Sequence, residues 1–371
     1  MAKLKLQFAR PDLLLLASVL ALTLFGLLMI YDSSVVLALR DFSDRYFFVK
    51  NQILWAFFGL VALFIFLNID YHKVSYLGPL ALVFGIVLLV VVLLPHITPQ
   101  VLGARRRFGV GPVTVQPAEL IKLLFVLYLS SRFAKGQKGE GETLRLLPFL
   151  IVLGLLIGLV VLEPDLGTAV ILAAVGIIVY FVSGGPIKYF FFLIPLLVIL
   201  GIGLAIISPY RAARLTTFFN PQADPQGSSY HINQILIALG NGGIFGRGLG
   251  QSRQKYEYLP EAPTDSIFAV VAEELGFVGS SVFLVVFLFL IYRGFKIALG
   301  APDKLGFILA FGITSWIALQ GLVNLAGMVS LLPLTGVPMP FVSYGGSALV
   351  TMMAAIGILL NISRQEVKVK G

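Results

Sequence analysis

Apolar segments of about 20 residues recur along the whole chain, and they constrain its fold more than any other feature. The chain is 58% hydrophobic and 12% charged, whereas soluble domains are about 45–50% apolar and about 25% charged. We therefore predict one polytopic, all-α integral membrane domain over residues 1–371. Its ten transmembrane helices are expected near residues 12–31, 51–68, 75–95, 117–133, 146–162, 167–183, 187–208, 266–292, 305–332 and 345–362.

The distribution of basic residues orients these predicted spans. An even number of spans places both termini on one side of the membrane. With the termini inside, the inner segments hold 15 lysines and arginines and the short outer loops hold six, which favours cytoplasmic termini. Residues 209–265, between the seventh and eighth spans, then form a large extracytoplasmic loop. Its amphipathic stretch Tyr230–Leu239 predicts a short helix on the outer surface.

The composition and the missing motifs exclude several classes of function. The net charge of +9 is spread over short loops, which favours contact with anionic membrane lipid and argues against nucleic acid as a partner. The chain has no cysteine and only three histidines, which are far apart and lack the spacing of metal ligands. The glycines between residues 240 and 250 match no nucleotide-binding loop.

The stretch YLPEAPTDSIFAVVAEELG, residues 258–276, places carboxylates at the entrance of the eighth span. At Asp265 the helix dipole lowers the pKa and a dry pocket raises it, which predicts a carboxylate that is ionised yet able to accept a proton. The alternative is that Asp265 or Thr264 caps the helix. Glu273 and Glu274 lie about 12–13 Å further along the helix, where we expect a structural pairing with Arg or Lys of neighbouring spans.

A group of cations precedes and enters the fourth span, in the stretch GARRRFGVGPVTVQPAELIK. Arginines 105–107 suit phosphate oxygens, because a guanidinium group binds them in a bidentate manner; the alternative is contact with lipid headgroups at the interface. Glu119 and Lys122 share one helix face at a spacing of three residues. A charge at membrane depth costs about 2.5–3.5 kcal/mol, so this pair either faces a polar site or locks two helices together.

Two further segments place polar groups at the predicted outer face. The prolines and glycines of LPLTGVPMPFVSYGGS break the helix there, and such irregular backbone is tolerated where it lines a cavity. Ser343 and Tyr344 offer hydroxyl groups in this segment. The stretch EPDLGTA places Glu163 and Asp165 in a short turn between the fifth and sixth spans.

Together these motifs resemble the SEDS family (shape, elongation, division and sporulation), which includes FtsW, RodA and SpoVE. The resemblance covers about residues 12 to 362 and rests on GARR, QPAELIK, EPDLGTA, GVPMPFVSYGGS and the long stretch GLGQSRQKYEYLPEAPTDSIFAVVAEELG, which is most similar to the FtsW and SpoVE branch. It implies a ten-span bundle with a large outer loop. It also implies a peptidoglycan glycosyltransferase that polymerises lipid II, an undecaprenyl-diphosphate-linked disaccharide pentapeptide, for cell division or cell shape.

The resemblance implies roles for individual residues as well. Asp265 matches the family's essential aspartate, expected to be the catalytic base, and Arg105, Arg106 and Lys122 match cations expected to bind the diphosphate. The supporting positions are Glu119, Glu261, Ser343 and Tyr344. The family commonly has Trp, His and Phe in place of Arg107, Pro263 and Ser266. These departures change the surroundings of the base and of the phosphate site.

The resemblance also implies partners and leaves alternatives. A class B penicillin-binding protein, which is a transpeptidase, is the expected partner, together with other division or elongation proteins. No cofactor is assigned with certainty; a divalent cation, Mg or Mn, is compatible with the diphosphate, although the sequence contains no dedicated ligand cluster. The alternatives are a flippase of the lipid-linked precursor and a non-catalytic division scaffold. A flippase typically shows symmetric, paired broken helices, and none is clear in this sequence.

Overall fold

The computed structural model describes residues 10–94, 106–110, 113–135, 142–207, 209–220, 224–225, 227, 229–256 and 258–365. Most of these residues are helical. The helices are α1 (Leu13–Phe42), α2 (Phe47–Asn68), α3 (Tyr71–Tyr76), α4 (Gly78–Leu93), α5 (Pro117–Ala134), α6 (Glu142–Leu162), α7 (Leu166–Val182), α8 (Phe190–Ile207), α9 (Pro209–Phe219), α10 (Tyr230–Asn241), α11 (Ile267–Leu299), α12 (Lys304–Met328) and α13 (Gly346–Arg364). Two short strands, β1 (Phe108–Val110) and β2 (Val113–Val115), pair antiparallel before α5. The sequence did not predict this hairpin.

Within the described ranges, five helices are long and apolar enough to cross a membrane, namely α1, α2, α11, α12 and α13. Shorter apolar helices lie at α4, within α6, at α7 and around α8. The prediction of a multi-pass helical membrane protein is therefore confirmed. Within the segment 209–265 the structure has α9 and α10, and α10 confirms the helix expected from the amphipathic stretch.

The buried centre of the bundle is formed by α5, α12 and α13, with α2 packed along α13 and α7 and α11 packed on α12. Phe125, Trp316 and Met353 are fully buried there. Small residues set the closest approach: a Cβ at Gly357 of α13 would lie 2.5 Å from the backbone oxygen of Leu63 in α2. Such contacts between small residues and backbone drive helix packing in lipid, where no hydrophobic effect separates the helices from their surroundings.

Helix α11 is broken at Gly276, whereas the sequence predicted one continuous span over residues 266–292. At Gly276 the backbone has φ 65° and ψ −164°, and the chain between α10 and α11 supplies the hydrogen bonds that the helix loses. Amide groups after the break donate to the carbonyls of Gly243 and Ile244 at 2.9 and 3.0 Å. Carbonyls before the break accept from the amides of Arg247 and Gly248 at 3.0 and 2.9 Å. The glycine-rich segment therefore packs directly against the helix backbone.

Glu273 and Glu274 bind residues 252–255, which follow the glycine-rich residues in the segment between α10 and α11. Their role is therefore structural, as expected. Ser252 donates through its hydroxyl to Glu273 at 2.5 Å and through its amide to Glu274 at 2.9 Å. The Lys255 ammonium group binds Glu274 at 3.1 Å and Asp32 of α1 at 2.8 Å. The expectation of a cation from a neighbouring span was wrong, because this lysine belongs to the segment between α10 and α11.

Replacing Gly246 with Ala is expected to destabilise this packing strongly. A Cβ there would lie 2.1 Å from the backbone oxygen of Glu274, and the residue has φ 78°. We expect the free energy of unfolding to fall by about 2–4 kcal/mol, measured as thermal unfolding in detergent. The control is Gly154→Ala in α6, where a Cβ meets no atom within 4 Å and helix propensity favours Ala by about 1 kcal/mol. Equal behaviour of the two variants would contradict the close packing.

Candidate functional site

Asp265 lies in the turn immediately before α11, and neighbouring elements hold that turn by its backbone. The amide of Asn324 in α12 donates to the Asp265 carbonyl at 2.8 Å. The Tyr344 amide donates to the Pro263 carbonyl at 2.8 Å. The N-cap of α11 is Ser266, and its side chain makes no capping hydrogen bond. Neither Asp265 nor Thr264 therefore caps the helix, and the Asp265 carboxyl is left for another role.

The surroundings of the Asp265 carboxyl make it a stronger base than an ordinary aspartate. Burial raises the pKa of Asp265 to about 6, the Glu261 carboxylate adds to the rise, and the Arg214 guanidinium opposes it. Thr264 donates its hydroxyl hydrogen to oxygens of both carboxylates, 2.7 Å from Glu261 and 3.2 Å from Asp265. A Cβ placed on Gly336 would lie 3.6 Å from Asp265 Oδ2 and 3.7 Å from Arg214 Nη1, so the two charged groups border the same glycine.

Arg214 and His231 are site residues that sequence reasoning missed. Arg214 lies on α9, and its Nη1 donates to the Leu334 carbonyl at 2.9 Å. His231 lies on α10, with Nε2 2.7 Å from Ser266 Oγ. Burial and the Arg214 charge lower the pKa of His231 to about 4, so its ring is neutral at pH 7. The one available signal was Arg214 itself, a cation in a segment that the orientation rule places outside.

Lys122 occupies a buried polar site between α5 and α12. Its ammonium group donates to Glu119 Oε1 and to Gln320 Oε1, both at 2.8 Å, and lies 5.6 Å from the centre of the Trp316 ring. Lys122 is 2% exposed and Glu119 is 4% exposed. The second carboxylate oxygen of Glu119 is buried and has no hydrogen-bond partner in the part of the chain that the structure describes. A charge in this position depends on its partners, because lipid or protein interior cannot solvate it.

Two amide side chains of α12 connect the Lys122 site with the turn that carries Asp265. Gln320 accepts from Lys122 and donates to the Pro338 carbonyl at 3.1 Å. Asn324, one helical turn or about 6 Å further along α12, donates to the carbonyls of Val337 and Asp265 at 2.8 Å each. Lys122 and Asp265 therefore lie along one face of α12.

Of the two arginines predicted to bind phosphate, the structure describes Arg106. Arg105 lies outside the described residues. Arg106 donates from Nε to the Glu163 carbonyl at 2.8 Å and from Nη2 to the Pro164 carbonyl at 2.6 Å. Among the described residues, the buried Glu163 carboxyl has no hydrogen-bond partner. Burial raises its pKa to about 9 and the Asp165 charge adds to the rise, while the Arg106 guanidinium opposes it. Glu163 is therefore protonated at neutral pH, beside Arg106.

Two other predicted residues, Ser343 and Tyr344, shape the segment that precedes α13. Ser343 Oγ accepts the Met339 amide at 2.8 Å, which closes a turn. The Tyr344 ring packs edge-on against Phe48 of α2, with the centroids 5.1 Å apart. Glu261 is exposed and has φ 52°. Among the described residues, no hydrogen bond or ion pair joins Arg106 to Asp265 or Lys122. The structure thus brings Asp265 and Lys122 to one face of α12, leaves Glu261 exposed beside Thr264, and places Arg106 at the turn before α7.

The fold and the site define a membrane-embedded protein with a carboxyl group of raised pKa at one end of its bundle and a buried ammonium group deeper along the same helix. Residues 12–368 match the model of the FtsW, RodA and SpoVE family, described as cell cycle proteins. The chain belongs to this family.

Relatives and solved structures agree with this assignment over nearly the whole chain. Stage V sporulation protein E of Bacillus subtilis is 43% identical over 358 residues, 95% of this chain and 97% of that protein. The probable peptidoglycan glycosyltransferase FtsW of Trichlorobacter lovleyi is 39% identical, covering 96% of this chain and 94% of the relative. A chain of a peptidoglycan synthase complex superposes with a TM-score of 0.77 at 26% identity, covering 95% and 98% of the two chains. The rod shape determining protein RodA of Thermus thermophilus gives 0.70 at 25% identity, covering 96% and 98%.

Proposed function

We propose that this protein is a peptidoglycan glycosyltransferase that polymerises lipid II into glycan strands at the outer face of the bacterial plasma membrane, for cell division or cell shape. The observation that carries the proposal is the Asp265 carboxyl, with a pKa of about 6, on the same face of α12 as the buried Lys122. A general base needs a pKa near the working pH, and a diphosphate leaving group needs a cation. The glycosyltransferase relatives support the same reaction.

The proposed topology has ten spans, with both termini in the cytoplasm. The spans are α1, α2, α3 with α4, α5, α6, α7, α8, α11, α12 and α13. The excess of lysine and arginine in the segments assigned to the inside supports this orientation. Residues 209–265, with α9 and α10, then form the large outer loop, and Asp265 meets its substrate at the outer boundary of the membrane.

In the proposed reaction, Asp265 removes the proton from the 4-hydroxyl group of the acceptor GlcNAc. The oxygen forms a bond to the anomeric carbon of the donor MurNAc, the bond from that carbon to the diphosphate breaks, and the configuration inverts. Undecaprenyl diphosphate leaves with the bonding electrons. Arg105, Arg106 and Lys122 stabilise the charge on this leaving group, and Glu119 and Gln320 hold Lys122 in place.

The remaining residues support this base and the substrates supply the activation. Thr264 donates a hydrogen bond to the Asp265 carboxyl and the Glu261 charge raises its pKa, while Ser343 and Tyr344 hold the adjoining segment. The lipid diphosphate carries the activation, so the reaction needs no nucleotide; Mg or Mn would serve by neutralising diphosphate oxygens. The proposed partner is a class B penicillin-binding protein, with other division or elongation proteins and membrane lipid around the complex.

The polymerisation rate is expected to rise with pH through about 6. Asp265 acts as a base only when ionised, and its pKa is raised to about 6, so activity is lost as the pH falls through that value. The matched variants shift the midpoint in opposite directions. Glu261→Gln removes a charge that raises this pKa and moves the midpoint down, whereas Arg214→Gln removes a charge that lowers it and moves the midpoint up. Initial rates between pH 4.5 and 8 test this; unshifted midpoints in both variants would rule out Asp265 as the titrating base.

Polymerisation of fluorescent lipid II by the purified protein, alone and with a class B penicillin-binding protein, tests the proposed function. The expected product is a ladder of glycan strands on a gel. The flippase alternative predicts transport of lipid II across sealed vesicles without strand formation. The scaffold alternative predicts that Asp265→Ala leaves cell growth and division intact. Either of these results would overturn the proposal.

A further inference from the structure

A basic cavity lies at the opposite end of α11 from Asp265, where the proposed reaction has no role for it. Its volume is about 340 Å³, and it opens between the residues that precede α1, the last turns of α11 and the end of α13. Three cations line it, namely Arg10, Arg293 and Lys296, with Asp12 as the single acidic residue. Under the proposed topology this end of the bundle faces the cytoplasm.

The Asp12 carboxylate already accepts hydrogen bonds, and its single negative charge balances only one of the three cations. Arg293 donates to Asp12 Oδ2, through Nε at 3.1 Å and through Nη2. The other oxygen of Asp12 accepts the Leu15 amide at 2.9 Å. Arg10 and Lys296, in contrast, make no hydrogen bond or ion pair with the residues that the structure describes. With three cations and one carboxylate, the cavity carries a net charge of about +2 and favours an anion.

The rim of the cavity is apolar on the side of α1. Leu13 and Leu14 line the cavity and are 58% and 53% exposed. They begin a helix that is long and apolar enough to cross a membrane. Their side chains are therefore suited to contact with the hydrocarbon chains of lipid. A ligand that combines a negative headgroup with an acyl chain satisfies both surfaces at once. Its phosphate oxygens meet the guanidinium and ammonium groups, and its chain follows the leucines.

We propose that the cavity formed by Arg10, Arg293 and Lys296 binds the phosphate group of an anionic phospholipid such as phosphatidylglycerol. Basic pockets between helices at the cytoplasmic surface are suited to such headgroups. The lipid joins the start of α1 to the ends of α11 and α13, beside the existing hydrogen bond from the Asp12 amide to Ser363 Oγ at 3.1 Å. The site is independent of the polymerisation reaction at the other end of the bundle.

Binding of dioctanoyl phosphatidylglycerol to the full-length protein in neutral detergent tests the proposal, with dioctanoyl phosphatidylcholine as the reference lipid. The test variant is Arg10→Gln/Lys296→Gln, which keeps the Arg293–Asp12 pair. The control is Lys73→Gln/Lys304→Gln, which removes the same charge from two exposed lysines outside the cavity. Because one cation near a membrane surface contributes about fivefold in binding, we expect the test variant, which lacks two, to bind phosphatidylglycerol about 25-fold more weakly and the control to bind as the wild type does.

Two results would overturn the site: equal losses in both double variants, which means general surface charge, or equal binding of the two lipids by the wild type. Unchanged thermal unfolding of the test variant in detergent alone shows that it is folded. An inorganic phosphate arm identifies the source of the ligand. Displacement of the lipid by inorganic phosphate at a similar concentration would show that the cations bind a free anion, which contradicts the proposed lipid. Failure of phosphate to displace the lipid supports the lipid as the ligand.

Discussion

Asp265→Asn is expected to lower the rate of lipid II polymerisation by about 10²–10⁴-fold, the range that a positioned general base contributes. The amide cannot take a proton from the acceptor hydroxyl, yet it has almost the same size as the carboxyl. The backbone contact from Asn324 to the carbonyl of residue 265 does not depend on the side chain. The variant should therefore fold, and its thermal unfolding and its binding of lipid II should match those of the wild type.

Glu261→Gln is the matched control for this variant. It also replaces a carboxyl with an amide, and it lies only four residues away, but Glu261 is exposed and is not the proposed base. We expect it to polymerise at a rate within a few fold of the wild type at pH 7.5. Wild-type activity of a folded Asp265→Asn protein would remove Asp265 from the chemistry.

Lys122→Met is expected to lower both stability and activity. It leaves the Glu119 carboxylate buried beside Gln320 without its cation, and one oxygen of that carboxylate already lacks a hydrogen-bond partner among the described residues. Removing one partner of a buried ion pair destabilises a protein by about 3–5 kcal/mol. Thermal unfolding in detergent measures this loss, and polymerisation by the protein that remains folded measures the loss of the leaving-group cation.

The double variant Lys122→Met/Glu119→Gln separates these two effects. It removes both buried charges, so most of the lost stability should return, while polymerisation should stay low because no ammonium group faces the diphosphate. This also distinguishes the two interpretations of the pair that the sequence left open. A stable double variant with wild-type activity would mean that Lys122 and Glu119 only lock α5 to α12.

Hydropathy was sufficient to predict a multi-pass helical membrane protein. It misplaced the end of a helix and missed a break where tertiary contacts compensate polar residues or lost hydrogen bonds. The first predicted span ended near residue 31, because Asp32, Ser33 and Ser34 interrupt the apolar run. In the structure α1 continues to Phe42, since Lys255 reaches Asp32. The break at Gly276 was equally invisible, because its hydrogen-bond partners lie about 30 residues earlier, in a stretch whose glycines carry no periodic signal.

The candidate site was predictable where the residue type itself is unusual. Carboxylates and a lysine within apolar segments identified Asp265, Glu119 and Lys122, because such charges are costly unless they serve a purpose. Gln320 and Asn324 gave no such signal, since single amides are common on helices. Their importance comes from contacts with the segment 337–338 and with the turn at Asp265, which only the three-dimensional packing creates.

The most direct test of the proposed mechanism is the structure of the Asp265→Asn variant with lipid II bound, since this variant should hold substrate without turning it over. The proposal predicts the acceptor 4-hydroxyl within hydrogen-bond reach of the side chain at residue 265, about 3 Å, with the diphosphate on the side of Lys122. Lipid II bound with its disaccharide at the other end of the bundle, or with its diphosphate far from both Lys122 and residue 265, would contradict it.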